Sequence, residues 1–525
     1  MGRALLRSRI LDTAGATPVT PGRPYGRALP VWGAFALLLM LAAVPPFSTV
    51  LPPLVDYPNH LARMHLLEEG GSAFYAVRWA AIPNLAEDLI VPQLARLVPL
   101  DTAAKLFLVM IFALMAGGAV WLNRVAAGGW RLWPLLAFLL LYNRILLWGF
   151  LNYLFGIGVA LVGAAAWLAL EGRRWWFRVL SSSLLAAACF FSHIAAFGFY
   201  ALVILGVEVL PAWAELRARQ WAMLARRIGV ATPQFVLPAV LFLDSRHDLP
   251  DAAVSYAGIW RKADLLFGVF DNYERTFDIG CFVLFLGLIG GLAWTRRLGL
   301  PPRLGWASGL VLAAYLLLPS QIYGGSGADH RLPTAFFLLL AAASAPRFPS
   351  RRVAAAVGIT AASVLIVRLG VIEQVWREAD RVYTADLAGI DALPRGVKLA
   401  LAHPEGLFHV MRTPEVHLAL MAIARRDAFV PTLFAIPGQQ PVALKPPFAA
   451  LAEATPQILW AALVGGSAAD RARPPIPLSD FDFVAFTDKR PLRVPPSPCL
   501  APFFIQPTFQ IFTVVDNPDC PSPDG

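Results

Sequence analysis

The stretch LVDYPNHLARMHLLEE, residues 54–69, follows the first long apolar run of the chain and concentrates ionisable groups there. Asp56, His60 and Arg63 recur at spacings of four and three residues, which places them along one face of a helix. A carboxylate can act as a general base or hold a divalent cation, and an imidazole can transfer protons. A guanidinium binds phosphate oxygens through paired hydrogen bonds. These side chains together suit chemistry on a phosphate-bearing substrate.

The same stretch also has a non-catalytic interpretation, as a capped amphipathic helix that lies on a membrane surface. Pro58 suits the first turn of a helix, and Asp56 just before it suits the positive end of the helix dipole. In that case the Asp56 carboxylate would only accept hydrogen bonds from backbone N–H groups. We predict a helix that begins at Pro58, and the sequence leaves both roles of Asp56 open.

Three further polar clusters interrupt apolar runs, in LYNRILLWGFLNY, CFFSHIAAF and SGADHRLPTAF. Ionisable groups at membrane depth are costly and often mark a substrate path. Each cluster alone has a simpler explanation, because arginines snorkel to the interface and buried histidines are commonly structural. We predict Asp56 as the catalytic residue and eight substrate-binding residues around it. These eight are His60, Arg63, Arg144, Asn152, His193, Asp329, His330 and Arg331.

The composition identifies the class of protein that must position these clusters. Of 525 residues, 58% are hydrophobic and only 15% are charged, which is more apolar surface than a soluble domain can bury. The formal net charge of +10 could suggest a nucleic-acid partner. The arginines instead lie in short loops between apolar runs, as expected on the cytoplasmic side of a membrane protein. We therefore expect a lipid bilayer as partner and no nucleic acid.

Apolar runs of about 20 residues can cross a bilayer as helices. The fold class that we predict is an all-α polytopic membrane protein of about eleven transmembrane helices, with a small C-terminal α/β domain outside the membrane. The run Val179–Leu210 is too long for one upright helix and short for two, which leaves open one span or a re-entrant pair. Because basic residues flank it on both sides, we interpret it as a re-entrant pair of short helices that turns near Ser192 and His193. The other predicted spans are Leu29–Val50, Thr102–Leu122, Trp130–Leu147, Gly149–Leu170, Ile228–Leu243, Phe277–Trp294, Leu304–Pro319, Leu332–Ala345 and Val353–Ile372.

The alternation of basic loops gives an orientation with the N-terminus in the cytoplasm and all four polar clusters outside. Residues 1–28 form a cytoplasmic basic tail, and residues 29–372 form the transmembrane domain, with a first outer loop at 51–101. Residues 373–525 form the extracytoplasmic α/β domain, in which VKLALAH, FDFVAFTD and FQIFTVVD are typical of strands. Cys499 and Cys520 lie in this polar tail, where a disulfide is plausible in an oxidising compartment.

The motifs LVDYPNHLAR, after the first apolar run, and ADHRLPTAF, before a late one, resemble elements of the GT-C superfamily of polytopic glycosyltransferases. In that superfamily the first outer loop carries a functional carboxylate, which corresponds to Asp56. An acid–x–Arg–aromatic element begins a late helix in several members, and Asp329 and Arg331 lie at similar positions. Many members also end in a soluble domain outside the membrane. P-loop, HExxH and CxxC patterns do not occur, which disfavours ATP-driven and zinc-protease functions.

The resemblance implies transfer of a sugar from a polyprenyl-phosphate donor to a glycan, lipid or protein acceptor at the outer face of the bacterial inner (plasma) membrane. Asp56 would deprotonate the attacking hydroxyl or help to hold a metal. Arg63, Arg144 and Arg331 would neutralise the departing lipid phosphate. His60, His193 and His330 would lie nearby.

The cofactor is left open by the sequence, although a divalent cation, Mg or Mn, is possible with Asp56 and His60 as ligands. Glu68, Glu69 or Asp88 could supply a second carboxylate. Two other functions also suit intramembrane polar groups: a transporter or flippase of a lipid-linked or anionic substrate, and a non-catalytic partner of a polysaccharide assembly complex.

Overall fold

The structure is a computed structural model, and it describes residues 28–245, 254–256, 258–322, 325–404, 414–453, 455–464 and 478–515. The predicted basic tail, apart from Ala28, and Cys520 lie outside these residues. Cys499 is disulfide-bonded, whereas Cys189 and Cys281 are free and buried.

Helices make up most of the described chain. In chain order they are α1 (Ala28–Ser48), α2 (Tyr57–Glu69), α3 (Ala86–Ala95), α4 (Leu100–Ala127), α5 (Arg144–Trp148), α6 (Leu151–Ala169), α7 (Trp175–Ser192), α8 (Ile194–Arg217), α9 (Trp221–Ala231), α10 (Pro233–Ser245), α11 (Ile259–Phe267), α12 (Arg275–Trp294), α13 (Pro302–Leu317), α14 (Ala328–Ala343), α15 (Arg351–Ala392), α16 (Met421–Arg426), α17 (Pro446–Ala449) and α18 (Pro456–Leu463).

Strands are short, and most follow the long helix α15. In chain order they are β1 (Tyr75–Val77), β2 (Gln321–Ile322), β3 (Gly325–Ser326), β4 (Leu399–Ala402), β5 (Val442–Leu444), β6 (Phe483–Thr487), β7 (Leu500–Ile505) and β8 (Phe509–Val514).

Seven of the described helices are long and apolar enough to cross a membrane, which makes this chain a polytopic membrane protein as predicted. They are α1, α4, α6, α7, α8, α12 and α15. The pair α9–α10, bent by 46°, brings the number to eight if it is one broken span. The predicted eleven spans also include Trp130–Leu147 and two segments that correspond to α13 and α14, which have 16 residues each. At 1.5 Å per residue each is about 24 Å long, less than the roughly 30 Å of a hydrocarbon core.

The predicted span Trp130–Leu147 is a 3₁₀ helix, Trp133–Leu140, followed by the short α5. Asn143 causes the break between them, because its backbone is extended and its side chain accepts hydrogen bonds from the N–H groups of Ile145 and Leu146. A side chain that caps a new helix in this way ends the preceding one. The break leaves Arg144 and its neighbours in a turn.

The run Val179–Leu210 turns at His193, where the sequence predicts a turn. The two helices on either side, α7 and α8, have 18 and 24 residues and are not the short re-entrant helices that we expected. Both continue into their basic flanks, where arginine side chains can reach the interface from a helix end. Each helix is therefore long enough to cross the membrane.

The helix α15 has 42 residues and continues through the predicted domain boundary at residue 373. Its length of about 63 Å is roughly twice a hydrocarbon core, so one helix connects the membrane part to the C-terminal region. That region contains a sheet of order β4-β6-β8-β7, in which β4 and β6 are parallel and the other pairs are antiparallel. The three predicted strand segments correspond to β4, β6 and β8.

The first loop and the C-terminal region pack together. β1 pairs with β5 in an antiparallel ladder, with Tyr75 opposite Leu444. The Tyr75 hydroxyl donates to the Val430 carbonyl at 2.7 Å and accepts from the Val430 N–H at 2.9 Å. Contacts between these two parts of the chain therefore fix the position of α2.

Candidate functional site

Asp56 is the residue before α2, with Pro58 in the first helical turn, as the sequence predicts. Its side chain makes no capping hydrogen bond, so the non-catalytic role as an N-cap is wrong. The backbone holds it in place instead, because the Asp56 N–H donates to the Trp148 carbonyl at 3.2 Å. Gly149 follows with φ of +97°, and a Cβ there would lie 2.7 Å from the Asp56 Cβ. The Asp56 backbone therefore fits closely against the turn before α6.

His417 approaches the same carboxylate from the C-terminal region. Its Nε2 lies 3.4 Å from the Asp56 Oδ1, and the two side chains are 5% and 15% exposed. The sequence did not identify His417, because it lies in an apolar run that is typical of an ordinary helix. A histidine within such a run was the available signal, but nothing in the pattern shows its partner.

His60 and Arg63 lie one and two turns further along α2, in a buried polar network with α3. Arg63 Nε donates to Asp88 Oδ1 at 2.6 Å, and His60 Nδ1 lies 2.7 Å from Glu87 Oε2. Arg63, Glu87 and Asp88 are each about 1% exposed. Burial raises the pKa of the Glu87 carboxyl, but His60 and Arg63 outweigh burial and leave that pKa below its usual value. Arg63 thus has two buried carboxylate neighbours.

Asn152 belongs to this network as well. Its Oδ1 accepts from the Glu87 N–H at 2.7 Å, and its Nδ2 donates to the Asn84 carbonyl at 2.9 Å. The Nε2 of His60 lies 2.9 Å from the Gly149 carbonyl. The network therefore ties the loop between α1 and α4 to α6 and to the turn before it.

Arg144 lies in that turn and is paired with two carboxylates from the loop around α11. Its Nε donates to Asp271 Oδ2 at 2.8 Å, and its Nη1 donates to Asp264 Oδ2 at 3.0 Å. Burial raises the pKa of Asp264, but the hydrogen bond and charge of Arg144 outweigh it, so the pKa is lowered. Arg144 holds this loop against the membrane part.

Trp148 and His330 form the centre of the candidate site. Their ring centroids are 5.0 Å apart at an interplanar angle of 33°. The Trp148 Nε1 and the His330 Nδ1 are buried, and within the described ranges neither has a hydrogen-bond partner. Arg261 Nη2 donates to the His330 Nε2 at 3.3 Å, which assigns the proton to Nδ1. Two hydrogen-bond donors on neighbouring rings therefore have no acceptor in the part of the chain that the structure describes.

Asp329 lies beneath His330 and is fully buried. Its Oδ2 is 3.3 Å from the Lys262 Nζ, which also donates to the Tyr315 and Leu318 carbonyls. Lys262 therefore positions Asp329 rather than a substrate. Neither Lys262 nor Arg261 was identified from the sequence, because an isolated Arg-Lys pair in a loop is typical of a solvated surface.

Arg331 and His193 are connected through α6. The Arg331 guanidinium lies 4.6 Å from the Phe150 ring centroid, and its Nη1 donates to the Gly327 carbonyl at 2.8 Å. The Tyr153 hydroxyl donates to the Arg331 carbonyl at 2.7 Å, and the Tyr153 ring contacts the His193 ring edge-on. His193 Nδ1 accepts from the Ala195 N–H as the N-cap of α8. His193 thus has a structural role at the helix break.

The four polar clusters of the sequence therefore meet around the turn 143–150. Asp56 and His330 both contact Trp148. The Asp56 N–H donates to the Trp148 carbonyl, and the His330 ring packs against the Trp148 ring. His60, Arg63 and Asn152 support the loop that carries Asp56.

Within the described ranges no group of three or more His, Cys, Asp or Glu side chains could hold a metal. Both ring nitrogens of His60 contact protein oxygens, so His60 would have to give up one of these contacts to bind a cation. A divalent cation at Asp56 and His60 stays a prediction.

A cavity of about 860 Å³ lies apart from this polar cluster, among α8, α9, α10 and α13. Its lining is largely apolar, with Glu208 and Arg227 at its wall. Residues of the polar cluster do not line it. We place the candidate site at the polar cluster, because that is where the reactive groups converge.

Comparisons with known proteins found a structural similarity. No protein-family model matches the chain, and no curated protein matches it. Among solved structures, the chain is similar to the crystal structure of ArnT from Cupriavidus metallidurans bound to undecaprenyl phosphate. The alignment covers 93% of this chain and 99% of that chain, at 13% identity and a TM-score of 0.45. At this identity and TM-score, the residues of the site must carry the functional argument.

Proposed function

We propose that this chain is a membrane glycosyltransferase that moves a sugar from a polyprenyl-phosphate donor to an acceptor, as the resemblance to the GT-C superfamily implies. The observation that carries the proposal is that the partly exposed Asp56 meets Trp148 beside two buried donors, Trp148 Nε1 and His330 Nδ1, that have no hydrogen-bond partner among the described residues. A buried donor without a partner costs about 1–3 kcal/mol. Such a cost is expected where a ligand supplies the acceptor.

The proposed reaction uses Asp56 as the general base. It removes the proton from the attacking hydroxyl of the acceptor as that oxygen bonds to the sugar carbon. The bond between the sugar carbon and the phosphate oxygen breaks, and its electron pair leaves on the lipid phosphate. Arg261, exposed and bonded to His330, is the guanidinium best situated to meet that anion. Arg331 adds a second positive charge nearby.

The apolar helical body supports a lipid-linked donor, because a polyprenyl chain requires an apolar environment. We further propose that the protein lies in the bacterial inner membrane with the N-terminus in the cytoplasm and the site at the outer face. The acceptor is a glycan, a lipid or a protein of the cell envelope. A divalent cation could assist Asp56 if the substrate phosphate completes its ligand set.

The test is sugar transfer by purified protein in detergent. Undecaprenyl-phosphate-linked radiolabelled glucose, galactose, mannose and arabinose are offered with an envelope extract as acceptor. We expect transfer with one of these donors, and about a 100-fold or greater loss in the Asp56→Asn variant. Glu378→Gln, at an exposed acid on α15 that has no proposed role in the site, is the control and should keep wild-type activity. Full activity of Asp56→Asn would remove Asp56 from the mechanism.

A transporter or flippase is the second candidate, and the bent pair α9–α10 beside the 860 Å³ cavity favours it. Transport moves the donor across the bilayer without cleaving it. Thin-layer analysis of the donor after incubation separates the two functions. Release of free undecaprenyl phosphate supports transfer, whereas recovery of intact donor on the opposite leaflet of proteoliposomes supports transport.

A further inference from the structure

Residues from distant parts of the chain meet at Asp56. The Nε2 of His417 lies 3.4 Å from the Asp56 Oδ1, and both side chains are largely buried. We propose that His417 is a positioning residue that holds the Asp56 carboxylate for the reaction, so that the C-terminal region completes the active site. This inference rests on the proposed function, in which Asp56 is the general base.

Apolar contacts fix the approach of the two residues. Val55 and Val416, the neighbours of Asp56 and His417, pack against each other and against Trp148. The contact therefore includes the same tryptophan that stacks on His330. A shift of the C-terminal region would therefore move His417 relative to Asp56 and Trp148.

The orientation of the His417 ring is fixed from α2 as well. Phe434 contacts the ring edge-on, with centroids 5.5 Å apart. The Phe434 N–H donates to Asn59 Oδ1 at 2.9 Å, and Asn59 Nδ2 donates to the Thr432 carbonyl at 3.1 Å. Asn59 lies one turn after Asp56 on the same chain segment. The helix that begins beside Asp56 thus also orients the residue that touches Asp56.

His403 is a second histidine beside His417. It is buried at the end of β4, and burial lowers its pKa to about 4. Near neutral pH it is therefore uncharged, and it adds no positive charge to the pair formed by His417 and Asp56. The Asp56 carboxylate therefore has the His417 imidazole as its neighbour from the C-terminal region.

The chemical consequence follows from the two oxygens of the carboxylate. His417 contacts Oδ1, and the Asp56 side chain makes no capping hydrogen bond to α2. The Oδ2 is then directed to accept the hydroxyl proton, while His417 exchanges no proton and only restricts the rotation of the carboxylate. A base misplaced by about 1 Å can cost about 100-fold in rate. Loss of His417 should therefore lower kcat more than it changes KM.

The experiment compares His417→Leu with His417→Gln, using the undecaprenyl-phosphate sugar that gives the highest transfer rate. Leucine removes the polar ring atom that lies 3.4 Å from the Asp56 carboxylate, whereas the glutamine amide keeps a polar group near the position of Nε2. We expect about a 30-fold lower kcat for His417→Leu with KM within about twofold, and recovery of most of that loss in His417→Gln. His65→Leu is the matched control, because His65 lies on α2 and contacts Asp427 of the C-terminal region at 3.8 Å instead. Equal kcat in His417→Leu and wild type would overturn the inference.

A second measurement does not depend on the substrate. In ¹⁵N-histidine-labelled protein, Asp56→Asn should shift the ring resonances of His417 and leave those of His65 unchanged. Unchanged His417 resonances would overturn the contact itself. If the resonances shift but no donor is cleaved, the contact is supported and the proposed glycosyltransferase function fails. If Asp56→Asn is inactive while His417→Leu is fully active, the function is supported and the role of His417 is rejected.

Discussion

Asp56 and Arg63 share one face of α2 but have opposite environments. The Asp56 side chain is 15% exposed at the helix start, whereas Arg63 is 1% exposed beneath α3. A helical periodicity relates the directions of side chains but does not show where a neighbouring helix covers them. Reactivity is therefore concentrated at the first residue of the face, and the second turn provides support.

The buried pair of Arg63 and Asp88 gives a stability prediction. In Arg63→Leu the carboxylates of Glu87 and Asp88 lose the buried guanidinium that pairs with them. We therefore expect the free energy of unfolding to fall by about 3–5 kcal/mol. The measurement is a denaturation curve in detergent micelles. Arg395→Leu breaks an exposed pair with Asp427 and should cost no more than about 1 kcal/mol. Equal effects of the two variants would contradict the assigned role of Arg63.

Glu87 gives a pH prediction. Its pKa is lowered from the usual 4.5 by His60 and Arg63 against the effect of burial. The ionised form thus stabilises the folded state above pH 4.5, and this contribution is lost as the pH falls through the lowered pKa. The difference in melting temperature between wild type and Glu87→Gln should therefore be largest near pH 7 and shrink below pH 4.5. If the difference in melting temperature grew as the pH fell, the pKa of Glu87 would be raised rather than lowered by folding.

Among the structural elements, the turn 143–150 decides how the site is assembled. The Asn143 cap ends the 3₁₀ helix and begins α5, and Gly149 reverses the chain into α6. This short helical break brings Arg144, Trp148 and the Gly149 carbonyl to one place. Each of them contacts a different segment: the loop around α11, the start of α14, and α2.

Gly149 is the residue of this turn with the least freedom to change. An alanine there must adopt a left-handed backbone, and its Cβ would lie 2.7 Å from the Asp56 Cβ. We expect Gly149→Ala to lose about 2–4 kcal/mol of stability and at least tenfold in transfer rate, because Asp56 moves. Gly280→Ala is the control, since Gly280 lies inside α12 with open space around its Cα. Wild-type activity of Gly149→Ala would contradict this packing.

For the whole molecule, two polar layers lie at opposite ends of the helical body. The site layer contains His193 at the start of α8, and Glu208 lies fifteen residues on, about 22 Å along the same helix. Glu208 is surrounded there by Arg178, Arg227 and Arg303. An arginine-rich layer at one end and the site at the other agree with a fixed orientation in the membrane.

The orientation itself can be measured with single cysteines. Glu68→Cys, at the exposed end of α2, should react with a membrane-impermeant maleimide in intact spheroplasts. Arg173→Cys, in the exposed loop before α7, should react only after permeabilisation. The natural Cys189 and Cys281 are buried, so wild type serves as the blank. Reaction of Arg173→Cys in intact cells would reverse the proposed orientation.

The sequence by itself determined the membrane class, a helix start within one residue of Pro58, the turn at His193 and the strands β4, β6 and β8. These features depend on apolar length and on local preferences of Pro, Asp and β-branched or aromatic residues, which the chain displays directly. It also singled out the segments that meet at the site, because ionisable residues are conspicuous in apolar surroundings.

Only the tertiary structure decided which polar residues are buried supports and which line the site. The contacts of Asp56 with His417, and of His330 with Trp148 and Arg261, join segments that are far apart in sequence. Periodicity describes one element at a time, whereas burial and pairing depend on the element that packs over it. For the same reason, apolar length alone did not show the break at Asn143 or the short lengths of α13 and α14, which reflect how the neighbouring segments fold together.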